Sequence, residues 1–113
     1  MHEHLPLRSV ELDILLSVVD RPRHGYAILQ EAGERAGGRP GFEIPTLYRA
    51  LTRLKDAGLI HVVDAADSDA DERREYWGAT ALGRKVLKAE LARLESLVSL
   101  GRARTKSGAT GAK

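Results

Sequence analysis

The sequence predicts an α+β, mainly α fold: a winged helix-turn-helix with a two-stranded wing, continued by a long C-terminal helix. Three observations carry this. Ile44 to Gly58 is a short amphipathic helix, started by Pro45, stopped by Gly58 and showing arginines on one side. Two strand-like runs, 59–63 and 74–78, come directly after it. Beyond them Leu87, Leu91, Leu94 and Val98 repeat at spacings of four, three and four, which is a heptad seam.

Composition sets the frame. A chain of 113 residues has room for one domain and an extra helix. With one Phe and one Trp its core is thin. The formal net charge is +2, and the pI near 9.2 is a weak pointer to an anionic partner. The charge is uneven: Asp64 to Glu72 is mostly acidic, whereas the stretch after Gly101 is purely basic. Without cysteine there are no disulfides, thiolate metal sites or cysteine nucleophiles, and a reducing cytoplasm is the expected compartment. No signal peptide precedes Ser9, and no run approaches the roughly 20 apolar residues of a membrane span.

Taken in order, Met1 to Arg8 is a leader whose His2 and His4 lack the further ligands a metal needs. Ser9 reads as an N-cap, with Glu11 and Asp13 in the first turn, where the helix dipole favours negative charge. Val10, Leu12, Ile14, Leu15, Leu16, Val18 and Val19 make this helix apolar around most of its circumference, so it is buried on more than one side. Pro22 closes it. A second helix opens at His24-Gly25-Tyr26 and runs to about Ala36, with Tyr26, Leu29, Ala32, Gly33 and Ala36 as its expected inner face. His24 and Tyr26 are read as start-of-helix packing, because no partner for His24 completes a catalytic triad. Gly37 to Gly41 is a turn, and Phe42 packs under the third helix.

The third helix buries Leu47, Ala50, Leu51 and Leu54 and turns Thr46, Arg49, Thr52 and Arg53 outward, with Tyr48 on the border. Two helices joined by a glycine turn, the second showing arginines, form a helix-turn-helix arrangement. The hairpin of Leu59–Val63 and Arg74–Gly78 makes it a winged helix. The intervening acidic loop resembles the start of a calcium loop but has Glu72 where glycine is needed and Gly78 where glutamate is needed, so it is read as a solvated tip. Thr80 caps the last helix, with only half a capping box because Gly83 stands where Glu or Gln belongs. That helix is expected to end at Gly101, roughly 30 Å from its start. A small domain cannot cover such a rod, so its far half needs either a second copy, making it a dimerisation helix, or the first helix of its own chain. The expected division is a DNA-binding winged domain over 1–79, the dimerisation helix over 80–101 and a disordered basic tail over 102–113.

The chain also resembles a known family, the PadR-type transcriptional regulators. The resemblance rests on His24-Gly25-Tyr26, on Thr46-Leu47-Tyr48-Arg49 with Leu51 and Leu54, and on Ala57-Gly58-Leu59-Ile60. It continues through Arg73-Arg74-Glu75-Tyr76-Trp77 and through Thr80 with Gly83-Arg84, and covers roughly residues 9 to 100. It implies a bacterial dimeric repressor, of the short subgroup with a single dimerising helix, that binds palindromic operators and is released by small molecules, often phenolic or planar aromatic ones. Two departures stand out. Many members have Pro-Gly before the Thr-Leu-Tyr motif where this chain has Ile44-Pro45, and the tryptophan clamp of some drug-sensing members cannot be carried over, because the last helix has no tryptophan.

The expected partners are therefore double-stranded DNA and a second copy of the chain, with a small-molecule effector of unspecified identity, and no cofactor, metal or membrane. Arg49 and Arg53 are placed for base edges, where arginine pairs bidentately with guanine. Thr46, Tyr48 and Thr52 serve phosphates or secondary base contacts, and Arg73 and Arg74 reach the backbone or minor groove from the wing. Leu87, Leu91, Leu94, Leu97 and Val98 form the expected dimer interface. The rival class is a winged-helix protein–protein adaptor, in which the arginine face meets an acidic protein. An enzyme is disfavoured for want of a nucleophilic cysteine, a phosphate loop or a histidine–carboxylate cluster.

Overall fold

The computed structural model describes residues 4–37, 42–64 and 74–111. Its elements are α1 (Ser9–Val18), β1 (Arg23–His24), α2 (Gly25–Arg35), α3 (Ile44–Asp56), β2 (Ile60–Val63), β3 (Tyr76–Ala79) and α4 (Ala81–Gly111). Most of the turn at 37–41, the acidic loop beyond Asp64 and Arg73 lie outside the described residues.

Local chemistry explains the helix ends. Arg8, not Ser9, is the N-cap of α1, and its backbone N–H donates to Glu11 Oε1 at 3.1 Å. His24 caps α2, its Nδ1 accepting the Ala27 N–H at 3.2 Å. Glu43 is the N-cap of α3, with Pro45 in the first turn, where a missing N–H costs nothing. Gly58 ends α3 at φ +78°, the left-handed conformation that a Cβ penalises. The Gly58 N–H bonds the Lys55 carbonyl and the Leu59 N–H the Leu54 carbonyl, both at 2.9 Å, completing a Schellman stop.

α1 is the central packing helix and touches α2, α3, α4 and β3. Its Ile14, Leu15 and Val18 meet Ile28 of α2, Leu47, Ala50, Leu51 and Leu54 of α3, Leu59, Ile60, Trp77 and, from α4, Val86 and Leu87. Phe42 packs against the same core. Among the described residues the two buried polar groups, Ser17 and Glu90, are both partnered. Ser17 Oγ accepts from Arg35 Nη2 at 2.8 Å. The Glu90 carboxylate accepts from Arg93 Nε at 2.7 Å and from the Leu7 N–H at 3.1 Å, which fastens the leader to α4. The Arg93 hydrogen bond holds the Glu90 pKa below its ordinary value, and the cost of burial opposes the shift.

Four further expectations are corrected. The sheet has three strands, not two, in the order β1-β3-β2, because Arg23 and His24 pair antiparallel with Trp77 and Tyr76 on the free edge of β3. Tyr26 is 70% exposed rather than inward, since the inner stripe of α2 runs through Gly25, Ile28 and Ala32. Leu87 lies inside its own domain at 4% exposure, so the outward seam begins one turn later, at Leu91. The helix does not stop at Gly101. It continues to Gly111, taking in the basic segment expected as a disordered tail. Glycine in a helix interior costs only about 1 kcal/mol relative to alanine, and Arg102, Ala103, Arg104 and Lys106 are good helix formers. Gly101 is not in the left-handed region that would end the helix.

Candidate nucleic-acid interface

The outer face of α3 is uncovered. Tyr48, Arg49 and Thr52 are exposed and Thr46 is half-buried, a direct result of burying Leu47, Ala50, Leu51 and Leu54 on the opposite side. Arg49 Nη2 lies 3.4 Å from Thr46 Oγ1, and Thr52 Oγ1 donates to the Tyr48 carbonyl at 3.0 Å. The Arg49 contact is long and lies on an open surface, so its guanidinium can exchange it for a base edge or a phosphate. Arg53 sits differently. Its Nε meets Glu11 Oε2 of α1 at 3.2 Å, and its side chain is only 39% exposed. Its position at the edge of the apolar face of α3, beside Ala50, brings it within reach of α1, so Arg53 braces the helix from the side.

Beside α3 lies a cleft of about 270 Å³, bounded by α2 and the sheet. Gly25 opens its floor. A Cβ there would lie 3.2 Å from Leu47 Cδ2, tighter than an ordinary contact, and 3.5 Å from Tyr48 Oη, so the missing side chain lets Leu47 pack close to the start of α2, with the Tyr48 phenol beside it. Tyr26 and Tyr48 stand at the mouth, with Trp77 as a buried wall. Arg74 Nη1 approaches His24 Nε2 at 2.9 Å, and the His24 ring meets Tyr76 edge-on, with centroids 5.5 Å apart. A neutral imidazole has one acceptor nitrogen, yet both the Ala27 N–H and the Arg74 guanidinium donate toward this ring. His24 therefore satisfies only one of them at a time. Glu75 lines the same cleft.

The structure puts Tyr48, Arg49 and Thr52 on one exposed face of α3, with Thr46 half-buried beside them. Arg53, expected beside Arg49 at the base edges, is turned to Glu11 instead, Arg74 lines the cleft next to Tyr48, and Arg73 lies outside the described residues. The expected inner face of α2 turns Tyr26 inward, whereas it stands on the cleft. The signal was present: taking Gly25 with Ile28 and Ala32 as the inner stripe, spaced three and four apart, puts Tyr26 about 100° away, on the open side. Among the described residues no group of acidic, histidine or cysteine side chains could hold a metal. Among them, too, no helix is long and apolar enough to cross a membrane.

The family model of the PadR-like transcriptional regulators matches residues 14–89, the winged domain and the first turns of α4. The chain belongs to this family. PadR-type proteins are DNA-binding transcriptional regulators and not enzymes. Solved structures share the fold. A PadR family transcription regulator from hypervirulent Clostridium difficile superposes with a TM-score of 0.75 at 19% identity, over 87% of this chain and 99% of that one. A PadR-like regulator from Bacillus cereus gives 0.74 at 18% identity, over 85% and 90%. Bacillus subtilis PadR, solved in complex with operator DNA, gives 0.61 at 23% identity, over 74% of this chain and 47% of that one. No curated protein sequence matches the chain significantly.

Proposed function

We propose that this PadR-type regulator is a ligand-responsive cytoplasmic repressor that binds a palindromic operator as a homodimer. The observation that carries the reading is the uncovered face of Tyr48, Arg49 and Thr52 on α3, flanked by Arg74 of the wing segment. In a dimer the two α3 helices enter successive major grooves about 34 Å apart. Arg49 reads a base edge, Thr46, Tyr48 and Thr52 supply phosphate or secondary base contacts, and Arg73 and Arg74 approach the backbone from the wing. Arg53, held by Glu11, contributes by fixing the pitch of α3 rather than by leading the base contacts.

The second copy supplies the cover for α4. Leu91, Leu97, Val98 and Leu100 are between 39% and 50% exposed along that helix, with Leu94 half-buried among them. Covering the exposed half of such side chains stabilises by about 1 kcal/mol each, which summed over a pair of α4 stripes gives them a reason to associate. The dimer interface thus falls on Leu91, Leu94, Leu97 and Val98, without Leu87. An effector acts by changing how the two winged domains are held.

The test is genomic footprinting with the purified protein, and then gel-shift competition on the recovered site. Arg49→Ala should erase the preference for that site over random DNA, and candidate effectors should release the wild-type complex. Unchanged preference in the Arg49→Ala protein sinks the recognition role.

A further inference from the structure

The cleft beside α3 gathers groups that the core does not need and that stand apart from Arg49, the residue given the base edge. Tyr26 is an aromatic side chain left 70% exposed although it sits two residues into a helix whose other apolar residues turn inward. Its neighbour across the cleft, Tyr48, is 51% exposed, and its phenol lies in van der Waals reach of Gly25. Arg74 completes the rim, its Nη1 2.9 Å from His24 Nε2, beside a His24 ring that lies edge-on to Tyr76. Two tyrosines and a guanidinium, from α2, from α3 and from the residues just before β3, thus line one opening. Their shared chemistry is hydrogen-bond donation, with one full positive charge.

We propose that this cleft seats a single backbone phosphate of the DNA, held by the hydroxyls of Tyr26 and Tyr48 and by the guanidinium of Arg74. The assignment rests on the DNA-binding reading and adds to it a fixed point outside the groove. Tyr48 belongs both to the seat and to the outer face of α3, so a phosphate held here sets how far α3 is rotated about its axis as Arg49 meets the base edges. Phosphate contacts fix register without carrying sequence information. The seat therefore acts equally on every DNA sequence, unlike Arg49. Glu75 lines the same cleft and opposes the phosphate charge. It limits the affinity of the seat, and its neutralisation strengthens binding.

Three variants and one chemical probe test this, all in the full-length protein. Tyr26→Phe removes one exposed hydroxyl and nothing from the core. It should weaken binding about tenfold on the recovered operator and on random DNA alike, the loss of one hydrogen bond to a charged group. Arg74→Gln should weaken both and also reduce the slope of log affinity against log salt by about one. Glu75→Gln should tighten both. The probe is operator DNA carrying one neutral methylphosphonate, moved along each strand. One position per half-site should weaken wild-type binding more than tenfold, and weaken the Tyr26→Phe protein about tenfold less than that, because Tyr48 and Arg74 still contact the phosphate there but the Tyr26 bond is already gone. A Tyr26→Phe protein that binds like wild type overturns the seat while leaving the operator reading intact. So does a methylphosphonate penalty equal in both proteins at every position. Wild-type protein that binds no genomic fragment overturns the DNA-binding reading itself.

Discussion

Two glycines of α4 should respond in opposite directions to the same substitution. Gly83 lies in the first turn, where a Cβ would sit 2.0 Å from the Leu59 carbonyl oxygen and 3.0 Å from its carbonyl carbon. Both atoms are backbone, so neither can swing aside. That carbonyl accepts the Thr80 N–H at 3.0 Å, and Thr80 Oγ1 both donates to the Gly58 carbonyl at 2.6 Å and accepts the Gly83 N–H at 3.0 Å. The joint of α3, β2 and α4 is thus a closed set of short bonds around one missing methyl group. Gly83→Ala gains about 1 kcal/mol of helix propensity. Against this, overpacking costs roughly 1–3 kcal/mol and a strained or broken bond about 1 kcal/mol more. The net expectation is destabilisation by about 2 kcal/mol. Gly101 has nothing within 4 Å of its would-be Cβ. There the propensity gain stands alone, and Gly101→Ala should stabilise by about 0.5–1 kcal/mol. Urea unfolding monitored by circular dichroism, at one fixed protein concentration because association contributes to stability, measures both. Gly83→Ala at or above wild-type stability would refute the close approach at Leu59. Gly101→Ala below wild type would refute the continuation of α4 through that residue.

Other substitutions separate roles that resemble one another in sequence. Leu91→Asp should yield a folded monomer in sedimentation, whereas Leu87→Ala should cost about 2–5 kcal/mol of stability as a cavity in the core; a Leu91→Asp dimer contradicts the placement of the seam. Arg53→Ala should lose under about 1 kcal/mol of stability, being a half-exposed ion pair, and should keep operator preference in competition assays, while Arg49→Ala loses the preference. Glu90 has its pKa lowered in the fold, so its ion pair stabilises above the unfolded carboxylate's pKa and is lost as pH falls through the folded value. Glu90→Gln should therefore lower stability near neutrality and flatten the acid limb of a stability–pH curve; parallel curves for the two proteins remove any role for Glu90 in acid unfolding.

Much of the candidate interface was legible because it depends on spacing along one helix. Leu47, Ala50, Leu51 and Leu54 bury one side of α3, and Tyr48, Arg49 and Thr52 are left on the other by the 3.6-residue repeat alone. Pro45 and Gly58 bound that helix through their own backbone limits. Where several faces compete, the repeat is not enough. α2 has apolar or small residues on two sides, and the packing against α1 and α3 chose Gly25, Ile28 and Ala32 over the side carrying Tyr26. The same holds for Leu87, which heptad spacing places on the seam and tertiary packing takes into the core.

The sequence by itself determined that the chain is a winged helix with a long terminal helix, where α3 starts and stops, and which side of α3 meets solvent. These are consequences of short-range effects: cap residues, left-handed glycine and helical periodicity. Only the tertiary structure decided the third strand, the Arg53–Glu11 pair, the need for glycine at 83 and the cleft formed by Tyr26, Tyr48 and Arg74. Each of these joins residues far apart in the chain. Arg53 and Glu11 are 42 positions apart, and Arg23 reaches its strand partner Trp77 across the whole of α2, α3 and β2. Contacts over such separations are set by how the elements pack, and no local pattern in the sequence encodes them.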